Sequence, residues 1–327
     1  LQAYAVAGGF PVSAPERGSY CIGLHELHLP VGAAPRMSAV YVGVRDRERG
    51  AARWEEVLEA LRARAQTAQS KPMSRNGRAA EIYRAAGADP ETMFSDSQLV
   101  GFEVKDGVVV VSEHSGPSAT FTLEAHSVLD GRHYVFEGSG SQVSRYPGIR
   151  DGVLDAVSRY RPRVSGEQPP IDAFCTVNGH FRLRGNEDVA GDAQLAVTFT
   201  DMPGVSFSLN IYGLVKASKE LSFVERAARD LLELTSLGGR VKRLHSGKRS
   251  YGGQSGDIVA IRMASEDNDT GYDYKYFWHA AGRPMDAYAP EIEAELLAEG
   301  AHGLDQDALD ALWAELMEGF RLRRDAR

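Results

Sequence analysis

The chain is poor in cysteine. Cys21 and Cys175 are the only two in 327 residues. Two cysteines build no dense disulfide framework; they form one bond in an oxidising compartment or stay as two buried thiols. Two separate sheets seldom bring the Cα atoms of such residues within about 7 Å, so two thiols are the expectation. No run of about 18 apolar residues occurs, which excludes a membrane-spanning helix of ordinary length. The chain begins at Leu1 and shows no basic segment followed by an apolar core, as either a processed or a shortened form would. An excess of basic charge is also missing. The 45 acidic and 37 basic side chains leave a formal net charge of -8, which suits neither a general nucleic-acid binder nor an anionic membrane surface.

Catalytic and metal signatures are absent in the same way. An acyl-transfer elbow needs glycine two residues before and two after its serine, because the strand-to-helix turn has no room for a side chain there. Gly253-Gln254-Ser255-Gly256-Asp257 comes nearest and ends in Asp; in a glycine-rich stretch it reads as a turn. His25 and His28 lie three apart in a strand-like segment and should point to opposite faces. No helical HExxH pair exists. The acidic run Glu266, Asp267, Asn268, Asp269, Gly271, Asp273 attracts a calcium reading, yet Phe277 occupies the twelfth place where a calcium loop carries Glu. No glycine pattern makes a dinucleotide or phosphate loop. The residues therefore point to no catalytic set, no metal and no cofactor.

What is present is a soluble composition, with 43% hydrophobic and 25% charged residues, and a length that fits two domains of about 150 residues. Tyr20 to Leu29 and Ser38 to Val44 read as strands, and Ala51 to Gln66 as an amphipathic helix with Trp54, Val57, Leu58 and Leu61 on one stripe. After an irregular stretch with helical scraps such as 79–86, strands follow at Leu99 to Val104, Val108 to Glu113, Ala119 to His126 and Tyr134 to Glu137. Asp151 to Tyr160 is a short helix. Arg161 to Pro170, with three prolines, reads as a break. The second half resumes with strands at Ala173 to Arg182, Gln194 to Thr200 and Val205 to Ile211, then a helix at Lys219 to Leu234. Further strands are expected at Arg240 to Leu244, Asp257 to Met263, Tyr272 to His279 and Ile292 to Leu297, and a helix at Asp305 to Leu316. Both halves thus share one order of elements. The expectation is an α+β fold of two similar domains, residues 15–162 and 171–327, joined by a linker at 163–170. Each is a mostly antiparallel sheet with helices packed on it.

Two surface features stand out. Tyr272, Tyr274 and Tyr276 alternate along one strand face and would make an adhesive stripe, although a strand packed beneath a helix shows the same pattern. Arg240, Lys242, Arg243, Lys248 and Arg249 cluster without interleaved aromatics, as on a solvated strand edge that resists pairing.

Several segments resemble a known family. They are Phe174-Cys175, the strands around Pro203-Gly204 and Phe207-Ser208-Leu209, the stretch Phe277-Trp278-His279-Ala280-Ala281-Gly282-Arg283-Pro284, and the tail Ala308 to Leu322. In order and spacing they look like the carboxy-terminal domain of immunity proteins against type VI secretion phospholipase effectors, the lipase-immunity-protein-4 family. Cys21-Ile22-Gly23 with Leu29-Pro30 resembles the amino-terminal domain. The resemblance implies a two-domain α+β protein of the periplasm, often with a leader or lipid anchor. Such a protein binds a cognate phospholipase and blocks it without catalysis. The partner-binding candidates are then Tyr272, Tyr274 and Tyr276 with Glu266, Asp267 and Asp269. The competing classes are a hydrolase using carboxylates such as Asp257, Glu266 or Asp273, and a structural envelope protein.

Overall fold

The computed structural model describes residues 10–11, 18–70, 85, 99–114, 121–140, 145–163, 168–183, 191–214, 241–264, 271–299 and 305–323. The helix expected at Lys219 to Leu234, the helical scraps at 79–86 (residue 85 excepted) and the acidic run Glu266 to Asp269 lie outside them. The chain forms two compact units, residues 1–42 with 163–327, and residues 43–162. The expected break near 163–170 is one crossing between the units, but 15–162 is not one domain. The opening strands belong with the second half of the chain.

These strands are β1 (Phe10–Pro11), β2 (Gly18–Ile22), β3 (His25–Leu29) and β4 (Ala33–Val40). Tyr20 to Leu29 is therefore a hairpin and not one strand. Its two-residue turn starts at Gly23, whose φ of +55° is the left-handed region that such a turn demands of its first residue. The expected strand Ser38 to Val44 begins earlier, at Ala33, and stops where Val42 and Gly43 take φ of 48° and 79°.

The unit 43–162 contains β5 (Arg45–Ala51), α1 (Trp54–Ser70), β6 (Leu99–Lys105), β7 (Val108–His114), β8 (Phe121–Leu129), β9 (Arg132–Gly140), α2 (Tyr146–Arg159) and β10 (Tyr160–Pro162). Its five-stranded antiparallel sheet has the order β5-β9-β8-β7-β6. One helix packs on each face. Val57 and Leu61 of α1 meet Val109 and Val111. On the other face Val153 of α2 lies against Gly138, where a Cβ would come within 2.9 Å of its methyl. This is why Val108 to Val111 is apolar without alternation: both faces are covered.

The other unit continues with β11 (Ala173–Cys175), β12 (Gly179–Arg182), β13 (Asp192–Phe199), β14 (Val205–Tyr212), β15 (Val241–Tyr251), β16 (Gln254–Ala264), β17 (Tyr272–Ala280), β18 (Glu291–Ala298), α3 (Gln306–Glu318) and β19 (Phe320–Leu322). An eight-stranded sheet runs β1-β4-β13-β14-β18-β17-β16-β15. β4 pairs with β13 from Ala33↔Phe199 to Val40↔Asp192. A second sheet, β19-β3-β2, joins the chain end to its start, with Phe320↔Leu27 and Leu322↔His25. Asp305 caps α3 by accepting from the Ala308 amide at 2.8 Å. Leu309, Leu312, Trp313, Leu316 and Met317 form its buried stripe. The Trp313 ring lies 6.4 Å from Phe207 and 5.7 Å from Tyr276, so α3 covers the apolar face of the large sheet.

Cys21 and Cys175 are bonded, contrary to the expected pair of thiols, with Cα atoms 5.7 Å apart. The expectation assumed separate sheets in separate domains. In the fold β2 and β11 are neighbours, and Gly23 and Cys175 exchange backbone hydrogen bonds of 3.1 and 2.8 Å. Arg323 completes this junction. Its guanidinium sits 2.6 Å from the sulfur of Cys21 and 3.1 Å from that of Cys175, and donates to the carbonyls of Pro169 and Pro170. Burial pushes that guanidinium below its ordinary pKa.

Candidate functional site

β17 settles where the tyrosines go. Its alternate residues Tyr274, Tyr276 and Trp278 face the apolar side beneath α3, with exposures of 7%, 1% and 0%. The Tyr276 hydroxyl donates to Asp310 at 2.7 Å, and its ring stacks on Trp313. Burial, then the bond to Asp310, pushes this hydroxyl far above the ordinary tyrosine pKa. Tyr274 and Tyr276 are thus core residues, as a strand under a helix allows, and offer no surface to a partner. Tyr272, at the strand's start, is 44% exposed and carries the Arg262 guanidinium 4.0 Å above its ring. Glu266, Asp267 and Asp269 lie outside the described residues.

Of the carboxylates considered for hydrolysis, Asp257 and Asp273 are not brought together. Asp257 pairs in register with His279 and Asp273 with Met263. Six residues of antiparallel strand separate those positions, about 20 Å at 3.4 Å per residue. Asp257 is ion-paired with Lys248 at 3.1 Å. Gly253 to Asp257 begins in the hairpin turn between β15 and β16, both extended strands, so it is no strand-to-helix elbow. The disulfide occupies both cysteine sulfurs.

The opposite face of the large sheet holds polar residues that the sequence reading passed over. β18 points Ile292, Ala294 and Leu296 inward, each 0% exposed, and Glu291, Glu293 and Glu295 outward. Glu295 pairs with Lys275 at 2.9 Å. Glu291 Oε1 meets His279 Nε2 at 2.9 Å, and Glu293 is the register partner of His279. One donor atom each from His279, Glu291 and Glu293 lies within 4.8 Å of the others. Tyr212 is the register partner of Glu291 on β14. Burial first, then the charges of Glu293, Asp192 and Glu291, push its hydroxyl up to about 12. Burial likewise raises the pKa of Asp192, although the Gly213 amide donates to it at 3.0 Å. The alternation Glu-Ile-Glu-Ala-Glu-Leu at 291–296 already marks an acid-out strand. The register that sets His279 beside it is not written in either segment alone.

Comparison with known proteins gives this fold its relatives. Residues 167–325 match the family profile of the Tle cognate immunity protein 4 C-terminal domain. These residues are a domain of that family. Among solved structures it is similar to the apo immunity protein TplEi of the type VI secretion system of Pseudomonas aeruginosa. The TM-score is 0.73 at 19% identity, covering 95% of this chain and 99% of that one. It is equally similar to a chain of the Tle4-Tli4 complex, with a TM-score of 0.72, 20% identity, and 94% and 98% coverage. TplEi bound to an "L" peptide superimposes with a TM-score of 0.67 at 18% identity over 94% and 98% of the two chains. These likenesses extend the α+β architecture beyond the profile match to nearly the whole length. No curated protein matches the chain.

Proposed function

We infer that this chain, with its Tle cognate immunity protein 4 C-terminal domain, is a non-catalytic inhibitor that binds a cognate type VI secretion phospholipase. The observation that carries the reading is the profile match over residues 167–325. It is supported by a fold shared along nearly the whole chain with the immunity protein TplEi and with a chain of the Tle4-Tli4 complex. The site chemistry agrees: Asp257 and Asp273 of the hydrolase alternative lie apart on extended strands, and both cysteine sulfurs are bonded to each other. No described helix is long and apolar enough to cross a membrane. The proposed compartment is the periplasm, with a lipid anchor as an additional tether. The disulfide between Cys21 and Cys175 favours an oxidising space.

Contacts to the toxin are proposed at Tyr272 and the neighbouring acidic run Glu266, Asp267 and Asp269. An exposed tyrosine with a cation over its ring is a suitable anchor. Acidic rim charges steer a basic partner and act mainly on the association rate, which should fall as salt is added. An inhibitor effective at low abundance needs nanomolar affinity, about -12 kcal/mol. Co-expression with the phospholipase encoded beside the gene tests the reading. The expected result is survival of the cell, a complex that co-purifies, and loss of lipase activity. A purified protein that leaves that enzyme fully active overturns it.

A further inference from the structure

We propose that His279, Glu291 and Glu293 form a binding site for one divalent transition-metal ion on the polar face of the eight-stranded sheet. The three residues stand on adjacent antiparallel strands, and the ladder fixes their spacing. His279 and Glu293 are direct register partners, and Glu291 lies two residues along β18 on the same face. Their donor atoms fall within a 4.8 Å sphere of one another. An ion with bonds of about 2.1 Å holds its ligands some 3.4 Å apart in a tetrahedron and up to about 4.2 Å apart across an octahedron. Shifts well under a side-chain length therefore close the site.

The donor set selects the ion class. One imidazole nitrogen and two carboxylates suit Zn²⁺, Co²⁺ or Mn²⁺, whereas Ca²⁺ asks for six to eight oxygens. His279 is 4% exposed, and its Nε2 is aimed at the Glu291 carboxylate. An ion entering there takes the place of the proton between them. Glu291 and Glu293 are only partly covered, which leaves room for water to complete the coordination. On the neighbouring strand Glu291 pairs in register with Tyr212 of β14, which carries no charged residue along its length, so the donors of the site are His279, Glu291 and Glu293 alone among the described residues.

Metal-free, tag-free full-length protein is the sample. Calorimetric titration with ZnCl₂ should show one tight equivalent, and CoCl₂ should develop visible d–d absorption. Zn²⁺ should also raise the thermal unfolding midpoint, because an ion bound only by the native state stabilises it by mass action. His279→Ala removes a buried ring and can fail to fold, so Glu291→Gln and Glu293→Gln decide. Each should keep the wild-type far-UV spectrum while affinity falls by about tenfold or more. Absence of binding up to about 1 mM, where mass action would still lift the midpoint of a real site, overturns the proposal. So does binding that both glutamine variants leave unchanged, since the ion then sits on other histidines. Neither outcome bears on toxin inhibition, which is read separately as lipase activity.

Discussion

Tyr272 and Tyr276 stand four residues apart on the same strand face and have opposite fates. Tyr276 is walled in by α3 and hydrogen-bonded to Asp310, so Tyr276→Phe removes the shortest of that carboxylate's hydrogen bonds and leaves it His245 and Gln306. A cost of about 1–2 kcal/mol is expected, read as a lower urea midpoint, with toxin affinity unchanged. Tyr272→Ala removes an exposed ring and should change stability by less than about 0.5 kcal/mol. Under the proposed contact it should weaken toxin binding by tenfold or more, measured by surface plasmon resonance. His25 makes a pH prediction. It is fully buried, stacks on Phe320 at 5.0 Å, and neither ring nitrogen has a hydrogen-bond partner. Burial lowers its pKa from 6.5 to about 3. The unfolded chain therefore takes up a proton that the native one refuses. The stability this group contributes is fully present above pH 6.5 and is lost as pH falls toward 3. Between pH 7.5 and pH 5 the linkage amounts to about 2 kcal/mol. Chemical denaturation at both pH values should show that drop, and His25→Phe should remove it. An equal drop in the variant would assign the loss to other groups, His133 first among them, whose pKa burial lowers to about 4.

At the scale of elements, local pattern carried much of the reading. The Val57/Leu61 stripe gave α1, the Leu309/Leu312/Trp313/Leu316 stripe gave α3, and two-residue alternation gave β13, β14 and β18 within a few positions. β5 was missed because Arg45-Asp46-Arg47-Glu48-Arg49 looks like a solvated charge run. It is the edge strand of its sheet, where charges are tolerated and protect against further pairing. The joint of Arg323, Cys21 and Cys175 was illegible for a different reason. It brings together residues 302 and 148 positions apart in sequence, and no local period encodes that. The closed loop spans 154 residues, and a bond of that span stabilises by roughly 3 to 5 kcal/mol in the chain-entropy account. Cys21→Ala/Cys175→Ala should unfold at a correspondingly lower denaturant concentration. Thiol titration of the unreduced, denatured wild type should find no free thiol; two reactive thiols would contradict the bond.

The whole chain is not two halves in series, and this has a consequence for cutting it. β4 supplies a full edge to β13 through eight register pairs, and β3 holds β19 at the chain's end. The buried side chains Ile22, Leu24, Leu27 and Met37 all come from this opening segment. A fragment of residues 163–327 therefore lacks two sheet neighbours, one half of the disulfide and a block of its core. It should be insoluble, or melt without cooperativity. The fragment 43–162 keeps its five-stranded sheet and both helices, and should give a native-like far-UV spectrum and a sigmoidal thermal transition. The decisive protein joins residues 1–42 to 163–327 through a flexible Gly/Ser linker in place of 43–162. It should regain cooperative unfolding and form the Cys21–Cys175 bond, seen as a mobility change on reduction. If 163–327 alone unfolds cooperatively at the same temperature as the linked protein, the opening strands are dispensable, and the boundary near 163–170 separates two independent domains after all.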